Sequence, residues 1–339
     1  MNRAEIIHWL RTSDEAALES LWREADAVRR REVGDAVHLR GLVEVSNQCV
    51  RQCAYCGIRA GNRTISRYTL RLEEILASVA LAQQFGYGSV VLQAGETSQG
   101  LPTEWVAEVI REIRRRAPEM AITLSLGERG EKAFETWRLA GADRYLLRME
   151  SSNPTLFRKL HPQHPGWEFR LAALKQLQEI GYEVGSGVMI GVPGETWDDL
   201  AADIEMFRTL ELDMVGVGPF LPHPQTPMGV EKPTFNDELT TLKTIALTRL
   251  LCPRVNIPST TALAAIDRES GHERGLSRGA NVIMPNVTPP QYRQLYEIYP
   301  SKANTLEAAE TFDRKLQERI RAMGRSVGVG RGNSRRKYK

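Results

Sequence analysis

The residue types best suited to chemistry are gathered in Ser46-Asn47-Gln48-Cys49-Val50-Arg51-Gln52-Cys53-Ala54-Tyr55-Cys56-Gly57, where three of the four cysteines are spaced C-x3-C-x2-C. Thiolates are soft ligands for zinc or iron-sulfur centres, and a compact loop lets three sulfurs converge on one face of a cluster. The number three is informative. A 4Fe-4S cube takes four ligands, so a three-thiol loop leaves one iron open for a reaction. A zinc site is the alternative, completed by His38 or by His223 in the loop Leu221-Pro222-His223-Pro224. Such zinc ligands usually come as two separated pairs, and no second Cys or His pair follows at the expected distance. Cys252, which ends a helical pattern before Pro253, reads as a buried structural thiol.

The bulk numbers fit a globular enzyme. With 42% hydrophobic and 26% charged residues in 339, the chain buries a sizeable core without disulfides, and four cysteines are too few for a secreted scaffold of this length. Crowded thiols point to metal in a reducing, cytoplasmic compartment. A net charge of +3 against 45 basic and 42 acidic residues gives no argument for nucleic acid. No apolar run reaches the roughly eighteen residues of a membrane span, and the N-terminus interrupts its apolar positions with charge. From Gly324 onward the tail carries only basic charge and reads as a frayed, solvated end.

Elements that would position the cysteines follow from periodicity. Residues 1–38 read as an amphipathic helical extension, 39–300 as one alternating domain, and 301–339 as a helix and basic tail. Strands are expected at Leu39–Ser46, Ser89–Gln93, Ala121–Leu126, Arg144–Glu150, Glu183–Ile190, Met214–Phe220, Asn256–Thr261 and Asn281–Met284, with helical patterns between them. Eight such repeats imply an α/β fold of the (β/α)8 TIM-barrel type. The cysteine loop follows the first strand, and barrel chemistry sits on the loops after strand C-termini.

The C-x3-C-x2-C loop, with an aromatic residue just before the third cysteine, resembles the signature of the radical S-adenosylmethionine (SAM) superfamily. That resemblance implies one 4Fe-4S cluster on Cys49, Cys53 and Cys56, and SAM bound at its open iron. Gln93-Ala94-Gly95-Glu96 is similar to the superfamily's Gly-Gly-Glu element, with alanine for the first glycine. The stretch Gly185–Glu195 resembles the glycine-rich element along the adenine, with Met189 standing where isoleucine is usual. Glu150, ending a strand, suits ribose hydroxyls, and Arg170, early in the next long helix, suits a carboxylate.

From about residue 35 to 300 the chain resembles the HydE family of iron-iron hydrogenase maturases. The stretches carrying this include Leu124–Glu128, Gly141–Arg148, Asp213–Phe220, Asn256–Thr261, Gly279–Pro285 and Tyr292–Tyr296. The resemblance implies Tyr55 beside the adenine, and Gln93, Ser125, Glu150 and Arg170 near SAM. It implies an inner cavity lined by Arg40, Thr123, Arg148, Thr260, Thr261, Met284 and Tyr296, suited to a small anion. It further implies an iron-cysteine dicarbonyl-cyanide substrate from the maturase HydG, the scaffold HydF, and a flavodoxin or ferredoxin as reductant, with no nucleic acid and no membrane partner.

Some family members carry a second cluster near the C-terminus, but residues 300–325 contain no cysteine, so one cluster is expected. A lysine mutase of the methylornithine synthase type and a non-catalytic zinc or iron-sulfur protein are the competing readings. Biotin synthase needs further cluster cysteines that a lone Cys252 does not supply.

Overall fold

A computed structural model describes residues 1–235, 237–300 and 308–336. Two helices lead in. α1 (Arg3–Arg11) opens with a capping box in which Asn2 and Glu5 bond each other's backbone, and α2 (Glu15–Val33) opens at Asp14, which accepts the Ala17 N–H at 2.8 Å. Leu18, Leu21, Trp22, Ala25 and Val33 recur at helical spacing on the buried face of α2, which stops at Gly34 with φ 80°.

The chain then alternates between strand and helix. In order come β1 (Ala36–Ser46), α3 (Leu72–Gln84), β2 (Ser89–Ala94), α4 (Thr103–Arg116), β3 (Ala121–Ser125), α5 (Glu131–Ala140), β4 (Arg144–Leu146), α6 (Pro154–Leu160), α7 (Trp167–Glu179), β5 (Glu183–Ile190), α8 (Trp197–Thr209) and β6 (Met214–Pro219). They are followed by α9 (Glu238–Leu251), α10 (Thr261–Ile266), α11 (Gly271–Ser277), β7 (Val282–Ile283), α12 (Pro290–Arg293), α13 (Ala309–Ala322) and β8 (Ser326–Val327). All strand pairs are parallel, in the order β6-β5-β4-β3-β2-β1-β7, and β8 pairs with the start of β1. This is the expected TIM-type α/β fold.

Period-two alternation divides the strands between two environments. On β1, Val43 and Val45 pack outward into the core shared with the helices, while Arg40, Leu42 and Glu44 point into the barrel. Full burial of each such valine contributes about 1.5–3 kcal/mol, which makes the register of β1 hard to slip.

Three expectations change in detail. β4 ends at Leu146 instead of running to Glu150: the Met149 N–H leaves the ladder for Ser186 Oγ at 3.0 Å, and pairing returns only as an isolated bridge between Glu150 and Val188. Asn256–Thr261 is not a regular strand. It spans the gap between β6 and β7 through single bridges, Met214 with Asn256 and Pro258 with Val282, because Pro258 has no N–H to continue a ladder and Thr260 caps α10.

The third change is the tail. Residues 328–336 lie across the N-terminal end of the barrel as a floor, and the final three residues are outside those described. The Gly328 N–H bonds the Val37 carbonyl at 2.8 Å. The Gly332 carbonyl accepts from Arg40 Nη2 and Asn256 Nδ2, both at 3.2 Å, and Arg144 donates to the Arg331 carbonyl at 2.7 Å and to Asn333 Oδ1 at 2.6 Å. Arg331 pairs with Asp143, and Arg336 lies 3.8 Å from Asp213. The basic residues are held because the strand starts supply carboxylates.

Candidate active site

The cysteine loop leaves the C-terminal end of β1 and is stitched to several elements at once. The Gly95 N–H bonds the Ser46 carbonyl at 2.9 Å and the Val50 N–H bonds the Glu96 carbonyl at 2.8 Å, fixing the loop to the end of β2. The Ala54 N–H bonds the Leu160 carbonyl at 2.8 Å, fixing it to α6. Arg67 donates to the carbonyls of Asn47 at 2.5 Å, Ile58 at 2.7 Å, Arg59 at 2.7 Å and Asn62 at 3.0 Å, so one guanidinium holds the whole excursion. At Gly95 a Cβ would stand 2.4 Å from the Gln48 carbonyl and 2.9 Å from the Cys49 Cβ, so only glycine lets the β2 end approach this closely.

Cys49, Cys53 and Cys56 are free thiols on one cavity of about 370 Å³ at the barrel mouth. Tyr55, Gln93, Gly95, Glu96 and Ser125 line the same cavity, as do Glu150, Arg170 and Met189. So do Arg148, Thr260, Thr261, Met284 and Tyr296. Arg40 and Thr123 do not reach it. They face a much smaller chamber near the floor, with Arg144, Glu183, Asp213 and Asn256, and Met214 lines both spaces. Arg40 Nη1 lies 3.0 Å from Met214 Sδ, so the methionine stands between that guanidinium and the upper cavity. His38 is packed against Gly328 and Gly332 of the tail, away from the thiols, while His223 lies behind Gly57 of the cysteine loop.

Burial dominates the electrostatics. Desolvation, and then the neighbouring Cys49, push Cys53 up to about 12, and burial raises Cys49 and Cys56 as well. Three thiolates this close therefore need a cationic centre to exist together. A multi-iron cube, which offers each sulfur its own iron, fits this donor set.

Glu150 holds a second feature of the site. It is buried with φ 62°, a conformation unfavourable for a side-chain-bearing residue. Burial raises its carboxyl above the ordinary value, opposed by Arg148 and Arg170. Arg148 Nη2 is 3.2 Å from Glu150 Oε2, but without hydrogen-bond geometry, so that oxygen receives no hydrogen bond from the described residues. An acceptor left over on the wall of a cavity suits the hydroxyl of a bound ligand. Nearby, Tyr55 Oη lies 3.3 Å from His161 Nε2, and Tyr296 Oη lies 3.4 Å from Gln93 Nε2. Burial holds His161 down at about 3, so its ring is neutral at physiological pH.

Several lining residues escaped the sequence reading. Glu44, which accepts from Asn286 at 3.0 Å, was readable from its alternation with Arg40 and Leu42. His161 and His164, on the irregular turn after α6, had no periodic signal. Thr261 Oγ1 lies 2.6 Å from Tyr299 Oη, a pairing of residues 38 apart in sequence.

Residues 43–207 match the model of the radical SAM superfamily. The FeFe hydrogenase maturase subunit HydE of Thermotoga maritima is 45% identical over 329 residues, covering 97% of this chain and 92% of that protein. The chain belongs to the HydE family of the radical SAM superfamily. The 3-methylornithine synthase of Methanosarcina acetivorans is more distant, 29% identical over 314 residues, with 92% of this chain and 83% of that protein covered. A crystal structure of methylornithine synthase superposes with a TM-score of 0.85 at 24% identity, over 96% of this chain and 94% of that one, and supports the fold alone. Membership in the HydE family makes the chain a radical SAM enzyme and implies a 4Fe-4S cluster and SAM as its cofactors.

Proposed function

We propose that this HydE-type enzyme acts in maturation of the iron-iron hydrogenase active site, with one 4Fe-4S cluster per chain on Cys49, Cys53 and Cys56. The observation that carries the reading is the meeting of those thiols with Glu150 and Arg170 on one cavity, in a chain 45% identical to HydE. Together, the cluster and SAM supply methionine and a 5′-deoxyadenosyl radical by reductive cleavage of the sulfonium bond.

The chain's own residues bind and orient. Gly95 and Glu96 offer backbone carbonyls to the methionyl ammonium, while Gln93 and Ser125 present polar groups beside it. Arg170 grips the methionyl carboxylate, Glu150 accepts from the ribose, and Tyr55 and Met189 flank the adenine. Deeper in, Arg148, Thr260, Thr261, Met284 and Tyr296 face the substrate, an iron-cysteine species bearing carbonyl and cyanide ligands. The guanidinium and hydroxyls suit an anionic complex, and the enclosed walls keep water from a radical. The substrate comes from HydG, the product passes toward HydF, and a flavodoxin or ferredoxin delivers the electron in the cytoplasm. Among the described residues no helix is long and apolar enough to cross a membrane.

Anaerobic reconstitution tests this. The protein is expected to bind about four irons per chain and to yield 5′-deoxyadenosine from SAM under dithionite, whereas Cys53→Ala loses both while keeping its helical circular dichroism. A Cys53→Ala protein that still cleaves SAM would overturn the ligand assignment. Methylornithine formed from added lysine would point instead to the mutase.

A further inference from the structure

Between two of the cluster cysteines stands Arg51, whose partly buried guanidinium enters a chain of ion pairs. Its Nε lies 2.5 Å from Glu96 Oε1, and its Nη2 lies 3.4 Å from Glu128 Oε2. Both oxygens of the Glu96 carboxylate are engaged, since Oε2 accepts the backbone N–H of Glu128 at 2.8 Å. Its side chain lies against Gly127, where a Cβ would stand 2.5 Å from Glu96 Cγ and Oε2. The Glu96 carboxylate is thus spent inside the protein and is a structural link.

Glu128 passes the link on. It accepts from His164 Nε2 at 2.7 Å and pairs with Nε of Arg170, whose Nη1 donates to the Arg148 carbonyl. Nε and Nη1 of Arg170 are therefore pinned, which fixes the plane of the guanidinium and leaves Nη2 outside the network. Two carboxylates balance two guanidiniums here. Without Arg51 the wall turns net negative, with Glu96 and Glu128 left facing each other, and a carboxylate arriving at Arg170 meets repulsion in a poorly solvated site.

We propose that Arg51 is a positioning residue for the methionyl carboxylate of SAM, acting through Glu96 and Glu128 on Arg170. The inference rests on the proposal that Arg170 grips that carboxylate. It assigns a role to a side chain between the ligating cysteines whose ion-pair partners are Glu96 and Glu128.

The test uses reconstituted holoenzyme and two probes, SAM and 5′-methylthioadenosine, which has the nucleoside but no carboxylate. Arg51→Gln is expected to keep its iron, to weaken SAM binding roughly tenfold, and to leave methylthioadenosine affinity and kcat at saturating SAM unchanged. Arg51→Lys restores most of the SAM affinity. Equal weakening of both probes, loss of iron with the substitution, or unchanged SAM affinity would each overturn the inference. Wild-type protein that binds neither probe would instead sink the proposed function on which it rests.

Discussion

The backbone N–H of Ser152 meets Asp203 Oδ1 at 2.5 Å, tying α8 to the turn two residues past Glu150. Burial raises the Asp203 carboxyl from 3.8 to about 7, hydrogen bonds from Ser152 oppose the rise, and Asp199 and Glu150 add repulsion. Glu195 shares the pocket: burial and then Asp203 hold its carboxyl well above the ordinary value. The native state thus binds a proton at Asp203 that the unfolded chain has released by neutral pH.

An acid with a raised folded pKa contributes stability that is complete below about 3.8 and is lost as pH climbs through about 7. Asp203→Asn imitates the protonated acid and keeps that contribution. Between pH 6 and 8.5 the wild type should therefore lose about 1.4 kcal/mol relative to the variant. Urea unfolding of both proteins at the two pH values reads the difference directly. A constant gap would mean that Asp203 stays ionised throughout.

Gly95 and Gly216 both line the cavity, yet they predict opposite outcomes. Gly95→Ala forces the β2 end off the Gln48 carbonyl and the Cys49 Cβ, an overpacking of about 1–3 kcal/mol that falls on the cysteine loop. Its iron content should drop well below that of the wild type after identical reconstitution. Gly216→Ala, with its first neighbour 3.7 Å away at Pro258 Cγ, should load iron normally. Matching iron contents in the two variants would count against the tight junction of β1 and β2.

Ending the chain after Gly328 removes the carbonyls and the amide that satisfy Arg40, Arg144 and Asn256. Some of those groups regain water, so the cost is about 2–4 kcal/mol. It appears as a lower urea midpoint at an unchanged slope per mole of denaturant. An unmoved midpoint would return the tail to the solvated role that its composition suggests.

The parts legible in the sequence are those whose cause is local. Three identical soft ligands on one short loop name their chemistry without tertiary help, and alternation placed β1, β2, β3, β5 and β6 to within a few residues. Alternation reports the face of a strand but not the height along the barrel, so Arg40 was readable as inward-facing, while its position below Met214 was not. Thr260 and Thr261 looked like a strand end because β-branched residues favour strands. The Thr260 hydroxyl instead accepts the Leu263 N–H at 3.3 Å and starts a helix. The tail looked solvated because its partners, Asp143, Glu183 and Asp213, lie on strand starts far away in sequence.

Along the chain β1 precedes the other strands of the sheet, while its companions β7 and β8 follow all of them. Those pairings have the longest sequence separations in the sheet, the kind that form slowly and late. The mouth carries equally long separations, since Thr260, Thr261, Met284 and Tyr296, all beyond β6 in the chain, line it beside the cysteine loop. Closing the vessel at either end therefore waits on segments that lie beyond β6.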